Sequence, residues 1–504
     1  MFSKVKSCAV HGVDGRMIDV EADVNDGLPV FTMVGYLSSS VRESSERVRT
    51  ALKNSGFHLP PKRITINLSP ADMRKDGSGY DLAIATAVLL SLGVTAELPM
   101  EQTLVLGELS LDGSIKAIPG VLPMVICARE EGMTSCIVPK ENVQEAALVQ
   151  GISVIGVSSL KETMEYIQGI KEYENTNAEQ PAVDTSEYLY DIDFSDVVGQ
   201  ESIKRGMEIA AAGFHNVLLT GAAGAGKSML AKRLPTILPQ MSFEESLEVT
   251  KIYSVGGMLP PEGGLIHRRP FRAPHHTISE YALIGGGRVP TPGEVSFAHY
   301  GVLFLDELPE FSKPVLEVLR QPLEDRRIRI SRVQASYEFP ADFMFVAAMN
   351  PCPCGNYPDY RRCSCTEQQI RRYQSKVSGP LLDRIDIRME VKGVKQEVLF
   401  SKQKTESSKT IRARVEQARQ MQKERFARTG LLFNSQLDGK NLEEYITLSE
   451  EGKRLVLQLF EEQELSVRGV HRVLKLARTI ADLAGSEEIE HAHLQEAAFY
   501  RNQD

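Results

Sequence analysis

Residues 216–234, NVLLTGAAGAGKSMLAKRL, constrain the fold of this chain more than any other stretch: an apolar run, a glycine-rich turn ending in Lys-Ser, then a helical run. Gly221 to Ser228 match G-x-x-x-x-G-K-S, and both flanks the pattern requires, a strand before and a helix after, are present. The glycines let backbone N–H groups wrap phosphates at a helix N-terminus. Gly221, Gly224 and Gly226 are therefore read as the phosphate cradle, Lys227 as the group that reaches the β and γ oxygens of ATP, and Ser228 as a Mg2+ ligand. A glycine-rich turn with a chance Lys-Ser is the plain alternative.

Two further runs are placed to serve that loop. In HYGVLFLDELPEF, residues 299–311, apolar Val302 to Leu305 read as a buried strand ending in Asp306 and Glu307. Two carboxylates at a strand tip are costly without a task. Asp306 is expected to hold Mg2+ through water and Glu307 to act as general base on the attacking water. A buried strand closed by an acidic cap is the other reading. A third strand, FMFVAAMN at 343–350, ends in Asn350, placed to orient the same water, although an isolated Asn is more often a cap or turn residue.

At 504 residues the chain exceeds one core, and about 150 residues per domain gives about three. Residues 1–170 alternate β-rich runs (ITINL at 64–68, TLVLGEL at 103–109, SCIVP at 135–139, ISVIGV at 152–157) with helical stretches, an α+β pattern. Residues 171–190, KEYENTNAEQPAVDTSEYLY, read as a polar linker. Residues 191–391 form the α/β core around the glycine loop, and 392–504 are almost wholly helical in period, as in VRGVHRVLKLARTIADL. A net charge of −9 excludes an overall basic footprint, so any nucleic-acid site must be local. Seven cysteines and a start, MFSKVKSCAVHG, without a secretory pattern point to a reducing, cytoplasmic setting. The longest apolar run, Leu82 to Val94, stops short of the ~20 residues a bilayer span needs, so no membrane partner is expected.

In its order of Walker loop, acidic strand and Asn strand, the core resembles AAA+ ATPases. The resemblance puts Asn350 at sensor 1, makes Arg384 in SGPLLDRIDIRMEV (378–391) an arginine finger for the nucleotide of a neighbouring subunit, and makes Arg468 in LSVRGVHRVLKLAR a sensor-2 residue of a helical lid. Surface salt bridges remain the alternative for both arginines. An arginine acting in trans implies a homo-oligomeric ring, by resemblance a hexamer. The stretch HRRPFRAPHHTISEYALIGGGRVPTPGEVSFAHYGVLFLDELPE, 267–310, followed by LRQPLEDRRIRISRVQASYEFPADF, resembles magnesium-chelatase-like AAA+ proteins. MNPCPCGNYPDYRRCSC and the amino-terminal region narrow the resemblance to the YifB/ComM family over nearly the full length. The chelatase I subunit is known without this amino-terminal domain, which counts against tetrapyrrole metallation. The resemblance implies an ATP- and Mg2+-dependent DNA motor, a branch-migration helicase of recombination and natural transformation. A chelatase-like motor and a MoxR-like protein remodeller are the other two classes.

RKDGSGYDLAIATAVLL, 74–90, resembles the active-site turn of Lon-type serine proteases, which runs Lys-Asp-Gly-Pro-Ser-Ala-Gly. Here Lys75, Asp76, Gly77 and Ser78 are followed by Gly79 in the nucleophile's place, and Leu122 in LGELSLDGSIKAIPGVLPMV stands where the catalytic lysine would. A serine attacks only when a neighbour takes its proton, so peptide cleavage is not expected. The fold without the dyad occurs in RadA-like proteins and is related to ribosomal protein S5, both nucleic-acid associates. The resemblance therefore implies an S5/Lon-protease-like domain that binds or builds the ring. Arg42, Arg47 and Arg49 are its candidate contacts, and a solvated helix face explains that run about as well.

Cys352, Cys354, Cys363 and Cys365 place four of the seven cysteines within 14 residues as two C-x-C pairs. Zn2+ favours four sulfurs in a tetrahedron, and a structural Zn2+, a free-thiol loop and a redox pair all stay open. Arg326, Arg327, Arg329 and Arg332 in RRIRISRVQAS belong to an expected hairpin that related rings point into a central channel. Phosphate contact there would give salt-dependent DNA binding; a solvated hairpin is the bland reading. Arg268, Arg269 and Arg272, with His275 and His276, form a second candidate DNA surface or a set of structural groups.

Overall fold

The computed structural model describes residues 1–172, 190–260, 263–332, 335–393, 405–462 and 466–501. Most of the expected linker, 173–189, and residues 394–404 of the expected helical cap lie outside these residues. The chain is mixed α/β, with parallel sheets and many helices.

Two long strands, β1 (Phe2–His11) and β2 (Asp14–Asn25), pair antiparallel from Phe2 opposite Asp23 to His11 opposite Asp14. β3 (Phe31–Val34), β4 (Arg63–Ser69), β5 (Thr103–Val105), β6 (Glu108–Leu109), β7 (Ile115–Lys116), β8 (Ser135–Pro139) and β9 (Ser153–Val157) follow. The large sheet runs β3-β4-β2-β1-β5-β8-β9, antiparallel through β4, β2 and β1 and parallel elsewhere. The helices Ser39–Asn54 and Asp81–Ser91 cover one face and Val121–Glu130 the other. The run 103–109, expected as one strand, is two. At Gly107 the chain leaves the sheet: its N–H donates to the Gly79 carbonyl and its own carbonyl accepts from Leu82, both at 3.0 Å, which braces the turn at 79–82.

The second part carries β10 (Val217–Thr220), β11 (Phe271–Arg272), the small hairpin β12 (Gly285–Gly286) and β13 (Thr291–Pro292), β14 (Val302–Leu305), the hairpin β15 (Arg327–Ser331) and β16 (Ser336–Pro340), β17 (Met344–Met349) and β18 (Ile387–Glu390). Five of these form a parallel sheet in the order β11-β14-β17-β10-β18. Every residue of β14 and β17 is buried, as a parallel sheet covered on both faces requires. One face shares a hydrophobic cluster with the helices Ser408–Arg425, Val467–Leu483 and His491–Arg501, where Phe214 stacks on Phe433 at 4.2 Å. The late helices complete the cover of the sheet.

The two parts meet along the helix Phe243–Val255 and the β15–β16 hairpin. Val13, Ile252, Phe297 and Phe339 form a buried cluster, and Tyr337 stacks on His11 at 4.4 Å. Gly120 N–H donates to the Ser254 carbonyl (2.9 Å), and the Ser254 hydroxyl donates to Glu145 (2.6 Å), whose carboxyl burial pushes up in pKa. Among the described residues no helix is long and apolar enough to cross a membrane.

Candidate functional site

β10 lies between β17 and β18, and the glycine loop leaves its carboxyl end there. Crevices at the carboxyl ends of parallel strands are where α/β sheets bind ligands. Gly224 and Gly226 have φ of +76° and +95°, conformations that a side chain would strain, and they turn the loop into the helix Lys227–Arg233. Lys227 Nζ donates to the carbonyls of Gly221 (2.7 Å) and Ala222 (2.9 Å) and to Asn350 Oδ1 (3.0 Å). Desolvation lowers its pKa, and the charges of Asp306 and Glu307 pull it back up. Ser228 Oγ donates to Asp306 Oδ2 at 2.5 Å, and the Glu307 N–H donates to Asp306 Oδ1 at 2.9 Å. Three strand tips thus converge on one loop, and the Lys227 ammonium is held where phosphate oxygens can replace carbonyls.

Glu307 has φ of +53°, the left-handed region, which costs a non-glycine residue about 1–3 kcal/mol. The turn leaves its carboxylate more than half exposed, 3.8 Å from His276 Nδ1. A cleft of about 400 Å³ opens beside it, lined by Glu307, Glu310, Asn350, Pro353, Gln369, Arg372, Tyr373 and Lys376. Desolvation, then Glu310, pushes the Tyr373 phenol up to about 12. Larger cavities of about 860 and 840 Å³ lie between the amino-terminal part and the core, away from the loop.

His276 and Gln200 are site neighbours that the sequence did not reveal. The sequence groups His276 with a candidate DNA surface or a set of structural residues, and the structure sets it beside Glu307. Gln200 Nε2 donates to the carbonyls of Ala225 (3.1 Å) and Lys392 (3.2 Å), closing the base of the loop. Its only sequence signal is its place in VVGQ, just before the helix Glu201–Gly213.

The arginines divide. Arg384 is nearly buried and donates to the Glu324 carboxylate and the Pro380 carbonyl of its own chain, with Nε unpartnered among the described residues. Arg468 lies exposed on the first turn of the helix Val467–Leu483. Arg327 and Arg329 stand on the hairpin and share Glu338, at 2.7 and 3.0 Å, both well exposed. Arg332 donates to the Gly287 carbonyl (3.0 Å), and Arg326 leans towards Asp342 (3.8 Å). The expectation for the long insertion needs correction at two positions. Arg269 is buried and its guanidinium is used by the carbonyls of Pro239, Gln240 and Tyr300 and by Glu245. Arg272 forms a two-pronged pair with Glu294 (2.6 and 2.7 Å) over the Phe297 ring. These two arginines bind the protein's own oxygens, so of the three only Arg268 faces outward, above the Tyr190 ring at 5.5 Å.

The four clustered thiols come together: their sulfurs all lie within 4.8 Å of one another. The backbone N–H groups of Asn356 and Ser364 hold the Cys354 thiol down at about 6. Cys363 is pushed up to about 12: the Cys365 N–H opposes this, but desolvation and the thiols of Cys354 and Cys352 outweigh it.

In the amino-terminal part Ser78 donates to Glu108, Leu122 is fully buried, and Lys75 is buried with Nζ on the Met73 and Pro70 carbonyls. Arg47 pairs with buried Asp81 (2.9 Å), whereas Arg42 and Arg49 are exposed.

A parallel sheet with a glycine loop at its switch point, served by an amide from the adjacent strand β17 and carboxylates from the next strand out, β14, is the layout of a P-loop ATPase of the AAA+ type. Known proteins narrow this further. A family model described as magnesium chelatase, subunit ChlI, matches residues 193–399; one described as subunit ChlI of Mg-chelatase matches 20–142; the subunit ChlI C-terminal model matches 405–501. The chain is 43% identical over 482 residues to the uncharacterized protein Rv2897c of Mycobacterium tuberculosis, covering 95% of this chain and 94% of that protein. It is 41% identical over 503 residues to the uncharacterized protein YifB of Escherichia coli and 40% over 503 to the competence protein ComM of Haemophilus influenzae, in each case covering 99% of this chain and 97% of the other. The chain belongs to the YifB/ComM family of magnesium-chelatase-like AAA+ proteins. That membership implies ATPase activity. The match at 20–142 gives the amino-terminal region a chelatase description as well.

Proposed function

We propose that this chain is an ATP-driven DNA motor that assembles as a homo-oligomeric ring, a hexamer by family resemblance, and migrates branched DNA in recombination and natural transformation. The observation that carries the ATPase half is the convergence of Lys227, Ser228, Asp306 and Asn350 on the glycine loop. ATP binding exchanges the carbonyl partners of Lys227 for β and γ oxygens. Ser228 and Asp306 offer hard oxygens suited to Mg2+, which neutralises phosphate charge when bound. Glu307 takes a proton from the attacking water, Asn350 orients that water, and Arg384 from a neighbouring subunit, with Arg468, offsets the charge that develops on the γ-phosphoryl group. Arg384 must leave Glu324 to do so.

The DNA half is supported by the relative named competence protein and by Arg268, Arg327, Arg329 and Arg332 on two surface segments. The test is the steady-state ATPase rate of the full chain alone and with single-stranded, duplex and four-way-junction DNA across a salt series. Stimulation strongest on the junction and fading with salt is expected. A rate that no DNA changes, with no DNA retained at low salt, would sink the reading. The chelatase descriptions of all three family models favour a second one, a chelatase-like or MoxR-like remodeller of a protein or tetrapyrrole-metallation complex, whose ATPase would ignore DNA.

A further inference from the structure

Residues 350–366 run from the tip of β17 to the helix Glu367–Gln374 without a strand or helix. None of their side chains belongs to a hydrophobic cluster. So long an irregular stretch is uncommon in a compact domain, and here apolar packing does not account for its order. The thiols do.

Cys352 Sγ lies 3.4 Å from Cys354 Sγ and 3.8 Å from Cys363 Sγ, and the latter two are 3.6 Å apart. A tetrahedron of sulfurs about 2.3 Å from a central Zn2+ has edges of about 3.8 Å. A disulfide needs about 2.05 Å and would single out one pair, whereas here three contacts are nearly equal. Four soft donors in that geometry select zinc and reject Mg2+ and Ca2+. Nitrogen donors steady the sulfurs from outside: Tyr357 N–H lies 3.4 Å from Cys352 Sγ, and Asn356 Nδ2 lies 3.9 Å from Cys354 Sγ.

The cluster also touches the nucleotide loop. Gly355, with φ of +80°, sits so close that a Cβ there would lie 3.4 Å from Ala223 N and 4.0 Å from Asn350 Cγ. Pro351, between Asn350 and the first cysteine, has its carbonyl held by Gln374 Nε2 at 3.1 Å.

We propose that Cys352, Cys354, Cys363 and Cys365 hold one zinc ion as four thiolates, and that this zinc knot braces Asn350 and the phosphate loop against each other. The second half rests on the ATP-site reading above. Each ligating thiol gives its proton to solvent on binding. The knot stands in for a hydrophobic core, and its loss frees the segment that carries Asn350.

The test uses the full chain purified without chelator. Mass-spectrometric metal analysis is expected to find about one zinc per chain. Cobalt exchange should give the intense visible bands of a tetrahedral four-thiolate site. Cys363→Ser/Cys365→Ser should lose the zinc and Cys127→Ser should keep it. Stripping zinc from the wild type with a mercurial thiol reagent should release zinc in step with thiol titration, and lower ATP turnover by about tenfold or more. Gln374→Ala frees the Pro351 carbonyl, leaves all four thiols in place and should keep its zinc while lowering turnover. Native protein without metal, or a cobalt spectrum lacking sulfur-to-metal charge transfer, overturns the site. Zinc whose removal alters neither nucleotide affinity nor turnover overturns the brace. Zinc in a chain that hydrolyses no ATP under any condition leaves the site standing and removes the function proposed above.

Discussion

Lys227 has its ammonium hydrogens on two loop carbonyls and Asn350, an arrangement held ready for phosphate oxygens. Lys227→Ala should lower ATP turnover by at least about 100-fold, the usual loss for one preorganised donor in a site of this kind, measured as phosphate release at saturating ATP. Glu307→Gln should keep nucleotide affinity in a fluorescent-nucleotide titration while turnover falls by about 100- to 10,000-fold; normal turnover would remove Glu307 as the base. His276 adds a third, less obvious residue. At 3.8 Å it competes for the Glu307 carboxylate, and a partly exposed pair is worth at most about 1 kcal/mol. His276→Ala should raise the DNA-free ATPase rate, by no more than about fivefold. A fall in that rate would mean that the histidine aids the glutamate.

Between elements, Asp386 at the start of β18 ties the sheet to the late helices. It accepts the Asn216 N–H (3.0 Å), faces His215 Nδ1 (3.4 Å) and lies 3.6 Å from Arg472 on the helix Val467–Leu483. Burial works to raise its pKa, but His215, Arg472 and Lys475 outweigh that and hold it at about 2. The unfolded carboxyl is the less acidic, so this stabilisation is complete above the ordinary carboxylate range and is lost as pH falls through about 4 to about 2. Asp386→Asn should therefore cost roughly 3 kcal/mol near pH 7, read as a lower denaturant midpoint, and the gap from wild type should narrow towards pH 3. The β15–β16 hairpin joins elements in another way. Its Phe339 is fully buried in the cluster shared with Val13 and Ile252, so one strand pair both presents Arg327 and Arg329 and anchors the amino-terminal part.

In the whole molecule, the proposed assembly and the proposed DNA binding each have a direct test. If Arg384 serves a neighbour's nucleotide, Arg384→Ala chains should bind ATP yet lose about 1,000-fold or more in turnover, and mixing them with wild type should lower the rate faster than dilution alone. Arg327→Ala with Arg329→Ala should reduce the slope of log affinity against log salt by about two, one per phosphate contact, in a DNA-binding titration. The strands β10, β14 and β17 that carry the candidate site, with their terminal residues, could be read from consecutive residues, because a buried strand, a glycine loop and a polar tip are each written locally. The thiol cluster was half legible: spacing named four ligands, and only folding brought the two C-x-C pairs to one point. Arg269 and Arg272 misled because a charge pattern does not tell which way a long side chain turns; their partners, Glu245 and Glu294, lie more than twenty residues away. For the same reason no spacing rule sets His276 beside Glu307, or Gln200 under the loop. The sequence by itself determined the phosphate loop, the acidic and Asn strand tips and the four sulfurs, since backbone dihedral needs and strand period act between neighbours. Tertiary structure alone decided which arginines face water, which histidine meets the glutamate and where the cysteine segment, at Gly355, meets the loop, because those depend on packing between segments that the chain order leaves far apart.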